Sequence, residues 1–154
     1  MLAVVRMIAG AAFLVAGLLK LLDESLLYGG LMERLEQYGE AFPVYHRLLE
    51  RFVELHAEFF AYLVGIAEVL VGISLLSGAL VSLSSLGGAF LVLNFGLATT
   101  YGNPLGIVMH VALIGVLLCL GCAGAGLTWG VDAWLTQHVN EAVVLFPLRR
   151  SLPS

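Results

Sequence analysis

Four polar side chains lie inside long apolar runs of this chain: Lys20, Glu68, Asn94 and His110. Ionisable groups are expensive in hydrocarbon, so they face a bundle interior, a cavity or a partner. An amine, a carboxylate, an amide and an imidazole gathered in one dry place could hold a polar head group and exchange protons with it. Glu68 is the most telling of them, because it sits in the middle of the run Phe59–Leu76. One further set invites chemistry. Cys119 and Cys122 stand at C-x-x-C spacing on one face of a helix, where a dithiol could cycle with a disulfide.

Each of these has a plainer reading. Glu68 could lock helices together through hydrogen bonds alone. A single histidine such as His110 is usually a hydrogen-bonded core group, and a haem or metal role would need further ligands. His46, His56 and His138 fall in the long link or the tail, so no metal site is expected. Buried cysteines behave as small apolar residues. A dithiol that passes electrons to a membrane acceptor also needs a second cysteine pair, and this chain has only Cys119 and Cys122.

The elements that carry these residues must suit lipid. Of 154 residues, 60% are hydrophobic and only 12% charged, about half the charge of a soluble domain, and the mean hydropathy is +1.00. The net charge of −4 provides no basic surface, so nucleic acid is not an expected partner. Four stretches approach the ~20 residues that cross ~30 Å of hydrocarbon: about 3–22, 59–80, 83–100 and 104–125. The first lacks a small-x-small cleavage site at its end and is read as a span, not a leader. Short links make the last three spans antiparallel neighbours, and backbone satisfaction in lipid requires helices. The expected fold is all-α: a single membrane domain over 1–154, built as a four-helix transmembrane bundle.

Two segments lie outside the spans. The link 23–58 is acidic, with arginines at Arg34, Arg47 and Arg51. After Pro43, the residues Val44, Leu48, Leu49, Phe52, Leu55 and Phe59 recur at three and four, while Arg47, Glu50, Arg51, Glu54 and Glu58 take the other face. That pattern predicts an amphipathic helix running from Val44 into the second span. The tail 127–154 carries Trp129 and Trp134, ring types that favour the headgroup level, and Val143–Phe146 with Arg149 and Arg150 predicts an interfacial segment.

Helical rise assigns depths below the surface that carries the long link. Lys20 comes out ~3 Å down, Asn94 and His110 ~9 Å, and Glu68 ~15 Å. All four fall in the link-side half, with an axial gap of ~12 Å between Lys20 and Glu68 that a water, Asn94 or His110 would bridge. Glu68 also lies among Ala61, Gly65 and Gly72, a spacing of small residues that lets a second helix come close. The cysteines come out ~22–27 Å down, near the terminal side.

Three motifs together resemble the DoxX family of membrane proteins, which includes the DoxD-type subunit of thiosulfate:quinone oxidoreductase. They are Arg6 with Gly10–Lys20 (GAAFLVAGLLK), Gly65–Gly78 (GIAEVLVGISLLSG) and Gly124–Leu135 (GAGLTWGVDAWL). Where the family's pattern often has a polar or basic residue after the second glycine of the last motif, this chain has Leu127. The resemblance implies a four-helix bundle with its termini inside, in a bacterial or archaeal cytoplasmic membrane, often beside a redox partner. It carries over Arg6, Lys20, Glu68 and Asp132, with Arg6 and Asp132 as a candidate terminal-side pair. The expected function is a membrane subunit, not a stand-alone enzyme, that associates with a redox complex and presents a quinone pocket at Lys20, Glu68, Asn94 and His110. The alternative is a non-catalytic accessory subunit of a respiratory or photosynthetic assembly. Either way the lipid bilayer and other membrane-protein subunits are the expected partners, and a third reading, a small transporter, lacks broken helices or an inverted repeat.

Overall fold

The computed structural model describes residues 1–24, 30, 33, 37, 39–140 and 144–148. Arg34 and Glu36 of the link, and Val143, Arg149 and Arg150 of the tail, lie outside the described residues. The described residues form helices α1 (Leu2–Leu22), α2 (Pro43–Leu48), α3 (Ala57–Ser77), α4 (Val81–Thr99), α5 (Pro104–Cys122) and α6 (Asp132–His138). Of these, α1, α3, α4 and α5 are long and apolar enough to cross a membrane.

A glycine seam fixes how α1 lies on α3. A Cβ built at Gly10 would meet Leu76 N and Gly72 O, and one at Gly17 would meet Gly65 O, Val69 N and Glu68 Cβ, all within 3.0 Å. The two helices therefore run antiparallel with backbones nearly touching, as small residues allow in lipid. The hairpin between α3 and α4 is equally tight. Gly78 ends α3 in the left-handed region at φ 72°, where glycine carries no Cβ penalty. Helix α4 then pairs with α5, with Gly88 near Leu117 and Gly96 against His110. Phe13, Val71, Leu75, Val92, Leu117 and Leu120 fill the core where these layers meet. Helix α5 packs mainly along α4, and of the four spans it is the least covered.

The link corrects one expectation. The predicted continuous helix from Val44 is interrupted: α2 passes into a wide π turn at Leu49–Val53, then a 3₁₀ turn at Glu54–His56, before α3 begins. His56, at φ −135° and ψ 38°, leaves helical geometry at that junction. The shift in turn size breaks the three-and-four stripe. Leu49 and Val53 turn inward against Ala98, while Val44, Phe52, Leu55 and Phe59 stay exposed. The link is further held to α4 by Phe42 N donating to Leu97 O at 2.9 Å and Tyr101 N donating to Glu40 O at 2.9 Å.

The tail is fastened more firmly than an interfacial segment needs. Val144 and Leu145 are buried, and Leu148 N donates to Ser82 Oγ at 2.9 Å. Trp129, Trp134 and Phe146 remain exposed, where amphipathic rings suit a headgroup level.

Candidate functional site

The glycine seam sets the geometry of the site. With Gly17 opposite Gly65 and Glu68, Lys20 stands one turn further along α1, roughly 5 Å in axial terms. The ~12 Å expected from sequence assumed that α1 and α3 meet the link-side surface at the same level. They do not, because α3 starts at Ala57 and extends past the end of α1. Lys20 Nζ reaches Glu68 Oε1 directly at 2.5 Å. It also sits 4.2 Å from the centroid of the Phe95 ring on α4, so the ammonium gains a cation–π contact as well.

The two partners differ in burial. Glu68 is 3% exposed, whereas the Lys20 side chain keeps 28% of its surface. Glu68 Oε2 is buried and has no hydrogen-bond partner among the described residues. A carboxylate oxygen in that state is costly, so the orphan marks a demand for a donor.

Asn94 and His110 are turned to other partners. Asn94 Oδ1 accepts from the Tyr45 hydroxyl at 2.7 Å, and its amide donates to Phe90 O at 2.7 Å. His110 Nδ1 is 2.9 Å from Gly106 O on its own helix, with its ring against Gly96. The structure thus joins Lys20 to Glu68, ties Asn94 to the link, and leaves His110 in the α4–α5 seam. Sequence reasoning missed Phe95 and Tyr45. Phe95 had a local signal as the neighbour of Asn94; Tyr45 had none beyond being a polar aromatic on an apolar stripe. Burial pushes the Tyr45 phenol above its ordinary range, so it stays a donor. Tyr45→Phe is expected to cost ~1 kcal/mol and to speed proteolytic cleavage within the link; unchanged cleavage would mean that this bond does not fasten it.

Arg6 and Asp132 both lie at the terminal side, each bonded to backbone, and they form no ion pair with each other within 4 Å. Arg6 is fully buried. Its Nη1 donates to Ala125 O at 2.9 Å and to Thr128 O at 3.5 Å, and Nη2 donates to Trp129 O at 3.0 Å. Asp132 accepts from Leu80 N at 2.6 Å and Val81 N at 3.0 Å, capping the start of α4 where a negative charge meets the helix dipole. Burial pushes the Asp132 carboxyl above the usual carboxylate range, opposed by the Val81 and Leu80 N–H groups and by the charge of Arg6. Together they clamp 125–132 across the ends of three spans. Asp132→Ala, which strips both acceptors, is expected to cost ~2 kcal/mol in a thermal melt in detergent. Asp132→Asn keeps one acceptor and removes a desolvated charge, so it is expected to cost less; equal losses would show that the charge itself holds the cap.

Cys119 and Cys122 are both free and exposed on α5. Among the described residues, no group of three or more His, Cys, Asp or Glu is placed to hold a metal ion.

The sequence model of the DoxX family matches residues 1–101. The chain belongs to the DoxX family. It is an integral membrane protein, with four helices among the described residues long and apolar enough to cross a membrane. No curated protein and no solved structure matches the chain. The DoxX match spans the α1–α3 seam, Arg6, Lys20, Glu68 and Asn94, and includes the link. Asp132 and the run Gly124–Leu135 lie beyond it.

Proposed function

We propose that this DoxX-family chain is a subunit of a membrane redox assembly and that the Lys20–Glu68 site receives the head group of a quinone. The observation that carries the reading is the buried Glu68 Oε2, left without a partner beside a paired ammonium. Such a constellation offers one acceptor and a cation to a polar head in an apolar setting, which fits a lipid-soluble ligand with oxygens at its rim. Lys20 lies in the last turn of α1 and is partly exposed, which supports a ligand entering from the link side. The electrons would come from a partner, since the chain's residue types suggest no haem, flavin or iron–sulfur ligation. We place the termini in the cytoplasm of a bacterial or archaeal cell.

The test is purification of the full chain from membranes in mild detergent, followed by extraction of quinones and identification of co-purifying proteins. Quinone, counted in both redox forms, is expected to accompany the wild-type chain and to be retained more weakly by Lys20→Met/Glu68→Gln, which lacks the ammonium. A wild-type preparation without quinone would overturn the site reading.

A second reading, a non-catalytic accessory subunit, draws support from α5. Leu105, Val108, Met109 and Val111 stay exposed there, a surface another subunit could cover. Native mass spectrometry showing only a lone chain would remove it.

A further inference from the structure

We infer that the Lys20–Glu68 site selects the reduced form of its ligand, a hydroquinone with O–H donors, over the oxidised quinone. This rests on the proposed quinone site and adds which redox form it holds.

The inference comes from counting donors and acceptors. Glu68 presents a carboxylate whose Oε1 is taken by Lys20 at 2.5 Å and whose Oε2 is buried and unpartnered. The unmet demand is for a hydrogen, not for a lone pair. Lys20 has three N–H groups. One meets Glu68, and the ammonium lies over the Phe95 ring, which leaves donor capacity on its exposed side.

A hydroquinone matches both groups. Its hydroxyl donates to Oε2, and the same oxygen or its neighbour accepts from Lys20. A quinone can use only the second contact, because its carbonyl oxygens are acceptors. Brought near Oε2, a carbonyl sets lone pair against lone pair in a setting with little water to screen it. A site built around an unpaired acceptor discriminates strongly against a ligand lacking the donor, since the buried group then stays unsatisfied. Hydrogen bonds to charged groups are strong enough to separate the two forms by about tenfold or more.

The geometry names the residue that sets the preference. In Glu68→Gln the side chain keeps its shape but gains an N–H donor. A carbonyl can then be received where a hydroxyl was, and the selectivity falls or reverses. Because Glu68→Gln leaves Lys20 without its counter-ion, Lys20→Met/Glu68→Gln, in which neither charge remains, serves as the second variant.

The experiment is equilibrium dialysis of the full chain in detergent, under anaerobic conditions, against a short-tailed benzoquinone and separately against its hydroquinone. The wild type is expected to bind the hydroquinone at least about tenfold more tightly, with that ratio abolished or inverted in whichever of the two variants folds. Equal affinities, or tighter binding of the benzoquinone, would overturn the inference and leave the site reading standing. A ratio that persists in the variants would overturn the role given to Glu68. Binding of neither form would overturn both the inference and the quinone site.

Discussion

Gly72→Leu is expected to abolish accumulation of the folded chain, and Gly72→Ala alone to cost about 1–3 kcal/mol. A Cβ at Gly72 would meet Leu14 N at 2.5 Å and Leu14 Cα at 2.7 Å. These are backbone atoms of α1, which cannot rotate away as a side chain could. The helices would have to separate, and the separation would run along the whole seam, since Gly10 and Gly17 meet α3 backbone in the same way. It would also draw Lys20 from Glu68. The control is Gly115 on α5, where an added Cβ meets nothing within 4 Å. Gly115→Ala should be neutral or slightly stabilising, because alanine favours a helix over glycine. Membrane yield and thermal melting in detergent check both. A Gly72→Ala chain as stable as wild type would show that the seam tolerates opening.

The second large effect belongs to Lys20. Lys20→Met is expected to destabilise toward the low end of the ~3–5 kcal/mol seen when one partner of a buried pair is removed. The low end follows from the partial exposure of Lys20, which already keeps some contact with its surroundings. The loss arises on the other side: Glu68, at 3% exposure, would keep a charge with neither counter-ion nor donor. The reverse change, Glu68→Gln, should cost less, because Lys20 retains the Phe95 ring and a route outward. Lys20→Met/Glu68→Gln should recover most of the loss, as neutral replacements of buried pairs commonly do. A double-mutant cycle on melting in detergent measures the coupling. A double variant as unstable as Lys20→Met would mean that Lys20 acts through packing, not charge.

What the sequence displayed and what it hid divide on physical grounds. The spans were legible because lipid demands unbroken apolar length, and the observed α1, α3, α4 and α5 begin within about two residues of the expected starts. The inward placement of Glu68 was legible from residue type alone, since a carboxylate in such a run has few tolerable settings. Its direct contact with Lys20 was not. Depth measured from span ends ignores the register that Gly10, Gly17, Gly65 and Gly72 impose, and register is a property of two helices together. The break at Leu49–His56 was hidden for a related reason. A periodic stripe records that one face is apolar, but burial of Leu49 and Val53 on Ala98 depends on where α4 ends. Asp132 shows the limit most clearly. Its acceptor role at Leu80 and Val81 joins positions far apart in the chain, and no local pattern around it records that contact.

The placement of Arg6 has a consequence for biogenesis. Its guanidinium enters with α1, the earliest of the four spans, yet the carbonyl oxygens that receive it belong to residues 125, 128 and 129. Until the ribosome has delivered those residues, a cation at that depth has only water or headgroups to turn to. Insertion of α1 and its final seating are therefore two events in time, separated by translation of the three spans that follow it.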